Sequence, residues 1–201
     1  MYKKLALIAT LVIAHLLCAE SKQDCSSHFQ FKREEMPFGI QRQNMILINE
    51  NTQPKTIGSV AIISSEQFCI FDSPIFANID KNTLPPEVAE LYSLTSIIKK
   101  ELTTSLEQVV ILGDLYIDPK FRGQGYAQLL IQNICKEIFT TTQTNFIIVA
   151  PNPFEYENNL QIPLRGTPNY EEKKERLVKL YQRNGFVPCK NDVSFMYLEK
   201  K

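Results

Sequence analysis

The stretch V-V-I-L-G-D-L-Y-I-D-P-K-F-R-G-Q-G-Y-A-Q-L-L-I-Q-N-I-C-K-E-I-F, from Val109 to Phe139, decides the fold. Val109 to Ile117 is almost continuously apolar and rich in β-branched residues, the pattern of a strand buried on both faces. Pro119 ends it, because proline cannot donate to a ladder and keeps the residue before it out of the helical region. Arg122-Gly123-Gln124-Gly125 then makes a glycine-bearing turn. From Ala127 the apolar residues fall at Leu130, Ile131, Ile134 and Ile138, the spacing of a helix lying on a sheet.

A buried strand, a glycine turn and a helix start together make an anion site. The first N–H groups of a helix have no internal partner, and the macrodipole adds positive charge there. Glycines let the main chain approach a phosphate closely, and Arg122 adds a charged fork. The alternative is an ordinary strand-turn-helix whose glycines only turn the chain. Two familiar phosphate loops do not fit. Gly125 is followed by Tyr126 and Ala127 rather than the Lys-Ser/Thr of a Walker A loop, and Gln128 stands where a dinucleotide fingerprint needs its third glycine.

The stretch resembles the acyl-CoA-binding core of the GNAT superfamily of N-acetyltransferases. Arg122-Gly123-Gln124-Gly125-Tyr126-Ala127 matches its Arg/Gln-x-x-Gly-x-Gly/Ala signature, and Leu115-Tyr116-Ile117-Asp118-Pro119 is similar to its strand end. A second block, Leu180-Tyr181-Gln182-Arg183-Asn184-Gly185-Phe186, resembles the family's last helix end. Two blocks in the right order are more specific than either alone. The resemblance implies an α+β fold with a mixed, centrally splayed β-sheet flanked by helices. It also implies acetyl-CoA as cosubstrate, with no metal. The coenzyme would be held by Leu115, Tyr116 and Ile117 of the strand and by Arg122, Gly123, Gln124, Gly125, Tyr126, Ala127 and Gln128 of the turn and helix start.

The chain has 201 residues, enough for one domain with a substantial core, and its 22 Lys and Arg balance 22 Asp and Glu. Nothing in that balance points to a nucleic-acid partner. Lys3 and Lys4 precede an apolar run from Leu5 to Leu17, followed by Cys18-Ala19-Glu20. This is the layout of a secretory signal peptide over residues 1–19, with an uncleaved membrane anchor as the alternative. The run is shorter than the ~20 apolar residues that span a bilayer, so no stable membrane span is expected. The mature domain is expected over 25–199, exported to the periplasm or beyond. Cys25, Cys69, Cys135 and Cys189 show no C-x-x-C spacing, and His28 is the only histidine outside the leader, so no zinc site is supported. An exported chain permits disulfides, whose connectivity the sequence leaves open.

The remaining elements are read from periodicity. Phe29 and Phe31 mark a short strand, and Met45–Ile48, Gly58–Ile63 and Phe68–Phe71 read as strands of an antiparallel meander. Asp72–Pro86 is a loop, and a helix from Glu87 carries Val88, Leu91, Leu94, Ile98 and Leu102 on its apolar face. The family usually places two helices between its first and second strands, where they wall the acceptor site; this chain offers one helix just before the central strand instead, which leaves the acceptor open. Asn145–Ala150 is a buried strand, Pro151–Pro168 a long segment without clear period that is either a lid over the acceptor or an irregular insertion. Tyr170–Asn184 is the last helix, stopped by Gly185, and Val193–Leu198 closes a hairpin with Phe186–Val187.

Acyl transfer of this kind needs a neutral amine, on a small molecule or a peptide, that attacks the thioester directly. The resulting tetrahedral intermediate takes a main-chain N–H near Leu115 or Tyr116, and the departing thiolate takes a proton. By resemblance Tyr181 is the general acid; otherwise it is a core tyrosine. Where diamine-acetylating members read L-E-D-L-Y-V, this chain has Gly113 in place of the glutamate and keeps Asp114. Asp114, expected on one strand face with Leu112 and Tyr116, is a base activated by apolar surroundings or a hydrogen-bonded structural aspartate. Glu155 and Glu157 are outside candidates; Lys174 stands at the place of the family's asparagine, and whether Asn152 substitutes for it is left open by the sequence. The missing glutamate, and the scarcity of acetyl-CoA outside the cytosol, keep a second reading open: an exported, non-catalytic binding module on the same scaffold.

Overall fold

In the computed structural model, Val109–Ile117 forms the central strand, with the bounds its apolar run sets. The structure describes residues 27–35, 41–53, 55–64, 108–157 and 160–201, with single positions 83, 92, 94, 95, 100, 102 and 104. The leader over 1–19, Cys25, Cys69, the strand expected at Phe68–Phe71, the loop after it and most of the helix from Glu87 lie outside the described residues. Of that helix's expected apolar face, Leu94 and Leu102 are described and buried.

Three strands lead to the centre: β1 (Ser27–Glu35), β2 (Gln41–Asn49) and β3 (Thr56–Ser64), each antiparallel to the next, with β3 antiparallel to β4 (Val109–Ile117). The β2–β3 turn is closed by Asn49, whose side chain accepts from the Asn51 N–H at 2.9 Å. After β4 comes helix α1 (Tyr126–Thr141), then β5 (Phe146–Val149), which pairs parallel to β4. The chain continues through β6 (Phe154–Glu157), β7 (Leu160–Pro163), α2 (Tyr170–Arg183), β8 (Val187–Pro188) and β9 (Met196–Glu199). The result is an α+β fold around a seven-stranded mixed sheet of order β1-β2-β3-β4-β5-β9-β8. No described helix is long and apolar enough to cross a membrane.

One face of the sheet carries the core. Phe31, Met45 and Val60 pair across β1, β2 and β3, and Leu112, Val149 and Met196 pair across β4, β5 and β9. Both rows pack with Leu130, Ile131 and Ile134 of α1, and with Tyr181 of α2 and Phe186 beyond it. The three α1 residues are fully buried, each contributing about 1.5–3 kcal/mol of transfer free energy. Gly185 stops α2 at φ 89°, where its own N–H bonds the Gln182 carbonyl and the Phe186 N–H returns to Tyr181.

Two sequence expectations for β4 need correction. Only Val109–Leu112 is buried; from Gly113 onward the strand is half-exposed. The cause is that β5 accompanies β4 only as far as Leu112↔Val149. The second correction is a register shift against β3. Val60 pairs with Leu115 but Ile62 pairs with Leu112, so two steps on β3 match three on β4. The extra residue is a β-bulge at Gly113-Asp114. It brings Leu115 and Ile117 back to the helix-covered face with Leu112, and sends Asp114 to the opposite face. Asp114 therefore does not share a face with Leu112.

Elsewhere, the middle of Pro151–Pro168 is regular, between irregular flanks. It holds the two-stranded β6–β7 hairpin, with Phe154 opposite Pro163 and Glu157 opposite Leu160. The closing strand starts at Met196 rather than Val193, because Asp192 holds a turn: its side chain accepts from the Ser194 N–H at 2.9 Å and its carbonyl from the Phe195 N–H at 3.1 Å. Cys135 and Cys189 are buried, and no disulfide joins the two.

Candidate functional site

Beyond β4 the chain enters a 3-10 turn, Pro119–Phe121. The Asp118 carboxylate caps it by accepting from the Lys120 N–H, and the Asp118 N–H ties it to the Ile57 carbonyl at 2.9 Å. Arg122 then folds back, its Nε donating to the Ile117 carbonyl at 3.0 Å, and the Gln124 amide donates to the Lys120 carbonyl at 3.1 Å. Gly123 and Gly125 take φ 78° and 86°, and nothing lies within 4 Å of where a Cβ would sit on either. Left-handed geometry and open approach are what only glycine supplies.

α1 starts directly from Gly125, without a side-chain cap and without an acidic residue in its first turn. Among the described residues no protein acceptor takes the N–H groups of Gly123 through Gln128. N–H groups without a protein acceptor among the described residues, a helix N-terminus and the exposed Arg122 thus follow one another in one largely exposed stretch. Such a donor set suits an anion such as a phosphate group. Every turn and helix-start residue expected there, Arg122, Gly123, Gln124, Gly125, Tyr126, Ala127 and Gln128, lies in this stretch.

This stretch follows the place where the sheet parts. β4 and β5 run together from Val109↔Phe146 to Leu112↔Val149, and then Pro151 and Pro153 carry the chain off into β6. Among the described residues no strand pairs with β4 on this side beyond Leu112. Leu115, Tyr116 and Ile117 keep their β3 partners, Val60, Ser59 and Gly58, and border the gap. Burial, reinforced by Asp118 and opposed by Arg122, pushes the Tyr116 phenol above its ordinary value.

Tyr181 reaches this region from α2. Its ring is buried and meets Phe186 edge to face at 5.3 Å, while its hydroxyl has no hydrogen-bond partner among the described residues. Burial pushes the phenol well above its ordinary 10.0, and the Cys135 thiol and the Asp114 carboxylate act in the same direction.

Asp114 does not sit among apolar groups as expected. Arg42 Nη2 lies 3.0 Å from its Oδ2, both side chains being about three-quarters buried. Arg42 in turn donates from Nε to Asn44 Oδ1 at 3.0 Å, and Asn44 is buried. The guanidinium crosses from β2 to β4 above β3, where Ala61 pairs with Asn44 and lies 3.0 Å from where a Gly113 Cβ would be. Sequence reasoning passed over Arg42 and Asn44. Their signal was alternation: they continue the strand of Met45 and Leu47 on its other face. The signal for the bulge was Gly113, a glycine inside a strand pattern.

The outside candidates are placed elsewhere. Glu155 pairs with Lys173 of α2, which with a lesser contribution from Arg122 holds its carboxyl below the usual range. Asn152 accepts from the Tyr170 hydroxyl at 3.4 Å, and Lys174 lies over the Tyr170 ring at 5.7 Å. The Glu157 side chain lies outside the described residues. Among the described residues no three His, Cys, Asp or Glu side chains are grouped as a metal site.

Comparison with known proteins follows the same lines. The family profile of the acetyltransferase (GNAT) domain matches residues 95–188, a span that includes β4, the glycine turn, α1, β5 and α2. No curated protein matches the sequence. Among solved structures, the GNAT family N-acetyltransferase YhbS of Escherichia coli in complex with CoA is 14% identical, over 78% of this chain and 58% of that one, at a TM-score of 0.39. The spermidine N-acetyltransferase SpeG of Vibrio cholerae is 15% identical, over 79% and 64%, at 0.40. NAA60 of Arabidopsis thaliana in complex with a bisubstrate analogue is 11% identical, over 80% and 77%, at 0.39. The chain thus spans less than two thirds of YhbS and of SpeG. Residues 95–188 of the chain are thus similar to the acetyltransferase (GNAT) domain.

Proposed function

We propose that the chain is an N-acetyltransferase that moves an acetyl group from acetyl-CoA to a primary amine by direct attack. The observation that carries the reading is the parting of β4 from β5 after Leu112, beside a corner of unused N–H groups. The coenzyme's diphosphate would rest on the amides of Gly123 to Gln128 with Arg122 as the charged fork. Its pantetheine arm would lie along Leu115, Tyr116 and Ile117, where β4 has lost its parallel neighbour.

Each catalytic need has a residue. A main-chain N–H at the bulged part of β4, around Leu115 or Tyr116, stabilises the developing oxyanion, a contribution of about 10²–10³ in rate per donor. Asp114 orients the amine and receives its proton. Tyr181, whose phenol burial keeps protonated, delivers its proton to the departing sulfur. The β6–β7 hairpin, tied to α2 by Glu155 and Lys173, forms one wall of the acceptor side.

Calorimetric titration of the full chain with acetyl-CoA, followed by thiol release with a panel of amines, tests the reading. Saturable binding and amine-dependent thiol release are expected; a folded chain that binds no acyl-CoA overturns it.

A further inference from the structure

We propose that Arg42 makes this site selective for acceptors that carry a carboxylate beside the amine, free amino acids above all. The inference rests on the acetyl-transfer reading and names its acceptor class.

The argument starts from charge. A polyamine needs uncompensated carboxylates at the reacting centre. Here Asp114 is already matched by Arg42 at 3.0 Å, and Gly113 beside it carries no side chain. Glu34, across β1–β2 from Arg42, has its carboxyl held below the usual range chiefly by Lys32, with Asn44 and Arg42 also contributing. A dication would meet a guanidinium in this place, with like-charge repulsion as the result.

The same geometry suits a zwitterion. Guanidinium carries five N–H donors in a rigid fork; Nε is given to Asn44 and one Nη to Asp114, which leaves donors for a second carboxylate. One quarter or so of each side chain is open to solvent, on the face away from α1 and α2. The two opposite charges 3.0 Å apart match an amino group and a carboxylate on one carbon, each ligand group facing its opposite. The bulge sets this up by turning Asp114 to the Arg42 side. The step itself is unchanged: the N–C bond forms, the C–S bond breaks, the amine proton leaves towards Asp114, and the sulfur takes the Tyr181 proton.

The experiment is thiol release by the full chain with matched acceptors, alanine against ethylamine and lysine against 1,5-diaminopentane, with acetyl-CoA affinity measured alongside. The carboxylated member of each pair is expected to have a kcat/KM about tenfold or more higher, the worth of one charge-assisted hydrogen bond. Arg42→Gln should erase that preference and Arg42→Lys narrow it, both with acetyl-CoA affinity unchanged. The lysine variant keeps the charge beside Asp114, so it preserves the fold if the glutamine variant does not. Equal or better use of the decarboxylated amines, a preference that survives Arg42→Gln, or no turnover of any amino acid by a chain that binds acetyl-CoA overturns the inference. Absence of acetyl-CoA binding overturns the acetyltransferase reading beneath it.

Discussion

Leu112 and Val149 are the last residues that β4 and β5 share, and the paired ladder on this side ends with them. A segment with one strand neighbour instead of two is where a ligand backbone can add hydrogen bonds. Hydrogen exchange should therefore divide β4. On addition of acetyl-CoA those amides of Gly113–Ile117 that do not bond to β3 gain protection, while those of Val109–Leu112 are already protected and do not change. Uniform protection along the strand would place the coenzyme elsewhere.

The glycine turn can be tested by adding single methyl groups. Gly123→Ala and Gly125→Ala meet no atom within 4 Å, so their cost comes only from φ 78° and 86°. Each should lose about 1–2 kcal/mol of stability, read by denaturant unfolding, and weaken acetyl-CoA binding by displacing the amides. A variant with wild-type affinity would remove its amide from the diphosphate site.

Gly58 makes the opposite case, in which space rather than φ decides. A Cβ there would stand 2.5 Å from the Tyr116 carbonyl oxygen and 2.6 Å from Ile117 Cδ1. Gly58→Ala should cost about 1–3 kcal/mol or more as β3 is pushed off β4, lowering the melting temperature by several degrees. Because Tyr116 borders the gap, acetyl-CoA affinity should fall as well.

Tyr181→Phe removes a hydroxyl that has no protein partner among the described residues and keeps the ring against Phe186. Thermal stability should hold while turnover drops about 10²–10⁴-fold. The wild-type phenol is held above 10.0 by burial, so its proton stays in place through neutral and mildly alkaline pH. The rate should show no alkaline decline from this group below about pH 10. Unchanged turnover in the phenylalanine variant would remove Tyr181 from the chemistry.

Cys135 predicts a pH dependence of stability. Burial pushes its thiol from 9.0 up to about 12. Between those values the unfolded chain releases the proton and the folded chain keeps it, so stability falls as pH rises. The slope is at most about 1.4 kcal/mol per pH unit for the single proton. Unfolding curves from pH 8 to pH 10.5 should show this fall, and Cys135→Ala should flatten it while lowering stability at every pH.

Much of the frame was legible because its signals are local. The bounds of β4, the starts of α1 and α2 and the stop at Gly185 follow from runs, periods and glycines within a few residues of each other. The face of Asp114 was misread because it depends on register with β3, which one extra residue changes. Arg42 escaped for a related reason: its partner lies 72 positions away (114 − 42) on a strand that is not its neighbour. The β6–β7 hairpin had a cue in the alternation Phe154-Glu155-Tyr156-Glu157, which the flanking prolines masked.

The additional residue at Gly113-Asp114 works as a phase setter for everything downstream of it in β4. Shorten this strand by one residue there and Leu115 and Ile117 would turn away from α1, while the turn that carries Arg122 would leave the corner where α1 begins. Chain length at this one point is thus more tightly constrained than side-chain identity. Substitutions can be absorbed by their neighbours, whereas a single deletion would shift the glycine turn relative to the face that carries Arg42 and Asp114.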